Sequence, residues 1–252
     1  MLPGLYAAAS GMVATEARQA TIANNIANAS SPGFKRHQPV LLGFQNVFYK
    51  SLKRPFYYNM EAAPGGGVKA VETFSDTAAG PLRVTENPLD IALHGPGYFV
   101  VDTPQGERYT RSGDFTIGTD GALSTRNGHA VQSVSGQAID VSAGNVQIGD
   151  SGMVSAGGVN VGQIRLMEFA EPTRLTREGD SLFSASPEVA QASSAAVDTT
   201  LGQGELEMSN VNAAAEMIEM MMGLRAYEAN QRVIQTLDTT VGRLIDQVGM
   251  PR

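Results

Sequence analysis

The side chains best suited to acid–base, nucleophilic or metal chemistry are scattered along this sequence. The three histidines, His37, His94 and His129, lie far apart. None stands in a His-x-x-x-His or Glu-x-x-His spacing that would put two ligands on one helix face. Cysteine is absent, which removes disulfides, thiolate nucleophiles and Cys-ligated zinc together. Asp90 and Asp114 fall in strand or turn positions and read as structural carboxylates rather than the acid pair of a hydrolase. Gly65-Gly66-Gly67 lacks the Lys-Ser/Thr that completes a phosphate-cradling loop, so it reads as linker. Asn28-Ala29-Ser30 is formally a glycosylation acceptor, but it sits at the end of a helical pattern, where Asn serves capping and turn formation. No Ser-His-Asp grouping follows from the spacing. The expectation is a protein without catalytic residues, metal or cofactor.

The elements that would have to position such groups point to a structural protein instead. The chain of 252 residues is long enough for one or two domains. Hydrophobic residues make up 42% and aromatics 6%, with no Trp, so the core must be built from small aliphatics. The net charge of −7 is spread along the chain, and no Lys/Arg cluster exists to neutralise a run of phosphates, which argues against nucleic acid as a partner. Met1-Leu2-Pro3-Gly4-Leu5 supplies neither a basic segment nor a continuous apolar one, so a cleaved signal peptide is not expected, and any export would leave the N-terminus intact. No apolar run reaches the ~18 residues that span a bilayer.

Periodicity predicts a helix at each end. Pro3 suits a first helical turn, and the pattern runs to about Asn28, with Leu2, Leu5, Ala9 and Met12 at spacings of three and four, resumed at Ala23 and Ile26. Tyr6 and Val13 widen that stripe, while Glu16 and Gln19 interrupt it. Ser30-Ser31-Pro32-Gly33 ends the helix. Towards the other end Asn212 reads as an N-cap with Glu216 in the first turn. Met217, Met220, Leu224, Tyr227, Gln231, Ile234, Asp238, Val241, Ile245 and Val248 then keep a sustained heptad spacing, which predicts a coiled-coil-like seam. Ile218, Met221, Leu237 and Leu244 add a second apolar face, so this helix expects partners on more than one side.

Between the helices the texture changes to period two. Leu89 to Leu93 and Tyr98 to Val101 read as strands parted by Gly95-Pro96-Gly97, and Pro104-Gln105-Gly106 as a hairpin turn. Asp120-Gly121, Asn127-Gly128 and the Gly149 to Gly152 stretch mark further turns. The fold class is therefore α+β: terminal helices pairing in a coiled-coil-like inner layer, with a central antiparallel all-β domain. The expected boundaries are residues 1–34 and 209–252 for the helical part, 35–84 for an extended connector, 85–186 for the β domain and 187–208 for a return linker. Within the connector, Ala62 to Gly67 reads as flexible.

Energetics explain why such helices would favour assembly. Fixing each backbone residue costs roughly 1–2 kcal/mol, and burying each Leu, Ile, Met or Val returns about 1.5–3 kcal/mol. With one such residue in three or four, an isolated helix pair sits near break-even. It gains stability when neighbouring copies cover its second face.

The residues that carry this pattern also resemble a family. Gly4-Leu5-Tyr6-Ala7-Ala8-Ala9-Ser10-Gly11-Met12, Ile22-Ala23-Asn24-Asn25-Ile26-Ala27-Asn28-Ala29 and Ser31-Pro32-Gly33-Phe34-Lys35 are similar to the opening of flagellar rod and hook proteins. Pro88 to Leu93, Gly97 to Val101 and Tyr109 to Phe115 resemble the family's central block. Ser209 to Asn212, Met217-Ile218, Arg225 to Asn230 and Val233 to Thr236 resemble its C-terminal block. The likeness is colinear over the whole chain.

The resemblance implies a structural subunit of the bacterial flagellar basal-body rod, with an inner tube of paired helices and an outer β domain. It implies export through the flagellar type III apparatus to a periplasm-spanning rod, torque transmission from motor to hook, and no enzymatic activity. The implied partners are copies of the chain, homologous rod and hook proteins and the export apparatus, with no small-molecule substrate. The polymerisation interface would comprise Leu5, Tyr6, Ala9, Met12, Val13, Ile22, Asn24, Asn25, Ile26 and Asn28. From the last helix it would add Met217, Met220, Leu224, Tyr227, Ile234, Val241, Ile245 and Val248. The Asn residues form an implied hydrogen-bonding row. The opening Leu-Pro-Gly-Leu-Tyr and Arg-Ala-Tyr-Glu-Ala-Asn lean towards the distal-rod type, while chain length leans towards the proximal. The alternative reading is a secreted oligomeric β-domain protein that binds glycans or acts as an enzyme, against which the low aromatic content counts.

Overall fold

The structure is a computed structural model that describes residues 2–43 and 68–248. It is α+β, with a long helix towards each end and antiparallel strands between them. The segment Ala62 to Gly67, expected to be flexible, lies outside the described residues.

The N-terminal helix α1 spans Leu2–Ala27. Its hydroxyls fold back onto its own carbonyls: Ser10 Oγ donates to Ala7 O (2.9 Å), Thr15 Oγ1 to Gly11 O (2.6 Å) and Thr21 Oγ1 to Ala17 O (3.1 Å). The helix stops where the sequence predicts. Ser31 N–H donates to Asn28 O (3.1 Å), and Gly33 takes φ +64, a left-handed conformation that a Cβ would strain. A side chain there would also meet Ser112 N at 2.3 Å.

The short helix Pro187–Gln191 (α2) and the long C-terminal helix Ala213–Val248 (α3) are the other α-helices among the described residues, with a 3-10 turn at Pro172–Arg174. Asn212 caps α3 as expected, its Oδ1 accepting from Ala215 N–H (3.2 Å). At 36 residues α3 is about 54 Å long.

The strands, in chain order, are β1 (His37–Gly43), β2 (Val68–Ser75), β3 (Leu82–Val84), β4 (Ile91–His94), β5 (Tyr98–Thr103), β6 (Gly106–Thr110), β7 (Phe115–Ile117), β8 (Leu123–Thr125) and β9 (Ala130–Val131). They continue with β10 (Val146–Ile148), β11 (Met153–Ala156), β12 (Val159–Gln163), β13 (Leu166–Glu168), β14 (Thr176–Gly179), β15 (Leu182–Ser184), β16 (Ser194–Ala195), β17 (Thr200–Gln203) and β18 (Glu205–Glu207).

Two compact units result. The first holds α1, β1, β2 and α3; the second holds residues 28–36 and 76–211. In the first, β1 and β2 pair antiparallel from His37↔Ser75 to Gly43↔Val68, with a bulge between Val40 and Leu41. So part of the stretch expected as an extended connector is a paired two-stranded ribbon.

The second unit is built around a sheet ordered β14-β15-β6-β5-β9-β8-β7, with β13 joining β5 and β16 joining β13. Its central strand, β5, shows why the sequence folds this way. Alternate side chains leave opposite faces of a strand, and here both faces are buried. Phe99 and Val101 enter a core with Ile91, Leu123, Val131, Ile139, Val154 and Ile164. Tyr98 and Val100 enter another with Tyr109, Phe169, Leu175, Phe183 and Val189. Aromatic edges seal each side: Phe99 on Phe115 at 5.0 Å, Tyr109 on Phe169 at 4.7 Å.

Residues 187–208, expected as a return linker, carry α2 and three strands instead. Ser186 caps α2 by accepting from Val189 N–H, Gly97 N–H donates to Thr199 Oγ1 (3.0 Å), and Leu201 is buried against β4. The Ala/Ser/Gln composition concealed these anchors.

Candidate functional site: the face of the terminal helices

α1 and α3 pack on one another within the chain, and they run antiparallel. Each step of seven residues along α1 is matched by a step of seven back along α3. Gly4 lies under Leu237, Gly11 under Asn230, and Asn25 Nδ2 donates to Glu216 Oε2 at 3.1 Å. A Cβ at Gly11 would meet Asn230 Nδ2 at 2.9 Å, so glycine permits the close approach there. Between these levels Arg18 forms an ion pair with Glu219, and Gly223 rests on Gln19 and Thr15.

This contact face is not the one a hydrophobic stripe suggests. Glu216 and Gly223 are buried and Asn230 is half-buried, together with Met220, Tyr227, Ile234 and Leu237. Met217 and Leu224, in the predicted seam, are 52% and 48% exposed. Ile218, Met221 and Met222 beside them are 54%, 54% and 59% exposed. The helix is rotated so that small and polar side chains touch α1 while an apolar patch faces outward. Hydropathy alone could not find this frame, because glycine, Asn and Glu score as poor core residues. The sequence signal was the seven-residue recurrence of Glu216, Gly223, Asn230 and Leu237.

The remaining sequence-predicted interface residues divide between contact and solvent. Ile22 and Asn25 are buried, Ala9, Met12, Ile26 and Asn28 half-buried, and Leu5, Val13, Asn24 and Val241 exposed. The side chains of Tyr6, Ile245 and Val248 lie outside the described residues. Of the Asn row, Asn25 is the pivot. Its Oδ1 accepts from His37 N–H (2.9 Å) and its Nδ2 donates to His37 O (2.8 Å), so the amide pairs with β1 as a backbone unit would. Asn28 Oδ1 accepts from Ser31 Oγ (3.3 Å) in the helix-ending turn.

A second cluster, in the strand-rich unit, was missed by sequence reasoning. Lys35 Nζ, 2.6 Å from Glu207 Oε1, also donates to Ala78 O (2.8 Å). Gly80 N–H donates to the same Oε1 (2.9 Å), and Arg111 Nη1 lies 3.4 Å from Oε2. Arg111 Nη2 donates to Gly95 O (2.7 Å), and its guanidinium stacks 5.0 Å from the Tyr98 ring. Burial pushes the Lys35 ammonium below its usual pKa, and Glu207 pulls it back only in part. The cluster joins residues 35, 78–80, 111 and 207, so it ties chain segments together.

Three of the groups that could have done chemistry are otherwise engaged. Asp90 Oδ1 accepts from Asn87 Nδ2 (2.9 Å), Asp114 pairs with Arg126 (3.0 Å) and with Ser112, and His94 Nε2 lies 3.1 Å from Glu205. His129 lines a polar cleft of about 260 Å³ with Asp114, Arg126 and Asp180. Among the described residues no group of three or more His, Asp or Glu could hold a metal, and no helix is long and apolar enough to cross a membrane.

Comparison with known proteins decides the family. Residues 5–35 match the model described as flagella basal body rod protein, residues 92–156 the flagellar hook protein FlgE/F/G D1 domain, and residues 203–247 the flagellar basal body rod FlgEFG protein C-terminal. The flagellar basal-body rod protein FlgG of Caulobacter vibrioides is 34% identical, over 94% of this chain and 96% of the relative. The FlgG of Buchnera aphidicola subsp. Schizaphis graminum is 32% identical over 97% and 99%. The flagellar basal-body rod protein FlgF of Rhizobium meliloti is 31% identical over the full length of both. The chain belongs to the flagellar basal-body rod protein family. That family is related to the hook protein and is structural, not enzymatic. Its three matched segments hold the residues described above: Asn25 and Lys35 in the first, Arg111 in the second, Glu207, Glu216 and Asn230 in the third.

Proposed function

We propose that this chain is a self-assembling subunit of the flagellar basal-body rod, which transmits torque from motor to hook and is exported by the flagellar type III apparatus. The observation that carries the reading is the outward patch of Met217, Ile218, Met221, Met222 and Leu224 on a helix whose other side is already occupied. Exposed apolar surface of this kind marks a protein contact, and in a family of rod proteins the partner is a sister or homologous subunit. α1 and α3 then form a coiled-coil-like inner layer, with Leu5, Val13 and Val241 adding to its exposed apolar surface. The distal-rod type is slightly favoured by the opening Leu2-Pro3-Gly4-Leu5-Tyr6 and by Arg225 to Asn230.

The test is electron microscopy of basal bodies from a strain lacking this protein. A rod that stops short of the hook supports the reading; a complete rod and hook without the chain overturns it.

A further inference from the structure

Apolar side chains are poor at choosing a register, because one Met or Leu packs on a helix nearly as well as the next a heptad away. The α1–α3 face needs such a choice: its buried levels repeat every seven residues, so a slip of one heptad keeps the geometry of the helices. Three α3 residues on that face are polar, and each has a specific counterpart. Glu216, 1% exposed, accepts from Asn25, itself 1% exposed. Glu219 pairs with Arg18, and Asn230 sits over Gly11.

A slip in either direction breaks these matches. One way, Asn25 would face position 209, before α3 begins at Ala213, while Gly11 would face Gly223 and leave a void. The other way, Asn25 would face Gly223, Arg18 would face Ala226, and Glu216 would lie beyond Ala27, where α1 ends. Both slips part Asn25 from Glu216; the first sets Glu216 level with Arg18 instead, but in either case Asn25 loses its acceptor on α3, the penalised outcome for a buried polar group.

We infer that Glu216, Glu219 and Asn230 are register-specifying residues: they fix α3 on its own α1 at one heptad. In doing so they hold the apolar residues Met217, Ile218, Met221 and Leu224 at a set height and angle. This inference deepens the rod reading, on which the use of that apolar patch rests, but the register itself belongs to the single chain.

The sequence contains no cysteine, so nitroxide labels can be placed solely at Ala20→Cys and Asp238→Cys, both exposed positions on the two helices. Pulsed electron-spin distance measurement on dilute, full-length chain should give one distance. In the Glu216→Leu/Glu219→Leu/Asn230→Leu variant a second population should appear, displaced by about 10 Å, the rise of seven helical residues. A single unchanged distance in that variant, with helix content retained, overturns the inference. If the triple variant loses its helices, Glu216→Leu and Asn230→Leu singly carry the same test. Ile234→Ala, which removes an apolar group from the same face, should keep one distance; a split there also overturns the inference. Because the readout comes from single chains, failure of the parent chain to assemble, with one distance in the parent and two in the triple variant, would count against the rod reading and leave the register assignment standing.

Discussion

Glu207 and Lys35 form a 2.6 Å ion pair in which each side chain is 1% exposed, although 172 positions of sequence separate them. The pair fastens the segment that follows α1 to the strand that precedes α3. Arg111 shares the carboxylate, so one acid satisfies two cations and a backbone N–H.

Removing that acid leaves two buried cations unmatched. We expect Glu207→Gln to destabilise the strand-rich unit by about 3–5 kcal/mol, read as a lowered midpoint in urea unfolding. Lys35→Met should cost less, because Glu207 keeps Arg111 and the ammonium is already disfavoured by burial. A larger loss in Lys35→Met than in Glu207→Gln would contradict this division.

Alkaline pH should unfold the same unit through its tyrosines. Burial pushes the Tyr98 and Tyr109 phenols above their ordinary value near 10. A raised native value means the unfolded chain loses its proton first. The stabilisation is therefore complete below about pH 10 and is lost as pH rises through the native values. Lys35, whose native value is lowered, acts with opposite sign. Stability measured from pH 9 to 12 should fall, and Tyr98→Phe should flatten the fall; an unchanged slope would refute the assignment.

Gly113 is fixed by contact rather than by a turn. A Cβ there would lie 1.7 Å from Ile91 O, which also bears on a backbone bond, since Ile91 N–H donates to Gly113 O at 3.0 Å. Gly113→Ala should cost at least about 3 kcal/mol through overpacking, visible as loss of the cooperative thermal transition. Gly128→Ala, with nothing within 4 Å of its Cβ but φ +82, should cost about 1 kcal/mol.

Asn25 should matter more than its size suggests. Asn25→Ala strips hydrogen bonds from both His37 backbone groups and from Glu216. We expect a loss of about 2–3 kcal/mol in the helical unit and faster amide exchange at His37. Exchange at His37 unchanged from the parent would rule out the pairing.

Two substitutions on α3 should separate folding from assembly. Met217→Lys/Met221→Lys alters exposed positions and should change monomer stability by no more than about 0.5 kcal/mol while abolishing incorporation and motility. Ile234→Asp puts a charge on the half-buried α1 face, so it should abolish incorporation with loss of helix protection and leave the β domain folded. Swimming by either variant at the parent rate would sink the interface assignment.

The large features were legible because their signals are local. The ends of α1 and the start of α3 follow from Ser30 to Gly33 and from Asn212, and β5 is visible in its uninterrupted Tyr98 to Val101. The frame of α3 was not, since counting apolar residues selects Met217 and Leu224, whereas contact selects Glu216, Gly223 and Asn230. The Lys35–Arg111–Glu207 cluster was invisible for another reason: three ordinary charges acquire meaning only when distant segments meet. Residues 187–208 look like a linker by composition, yet Thr199 and Leu201 anchor them.

The pairing of α1 with α3 also has a consequence for synthesis. A ribosome releases the chain from its first residue, so α1 emerges long before Glu216 or Asn230 exists to meet it. A strongly greasy segment in that position would seek any available surface during the wait. α1 instead leans on Ala7, Ala8, Ala9, Ala14, Ala17, Ala20 and Ala23, which favour helix formation while offering little to stick to. The adhesive side chains are concentrated in α3, the element made last.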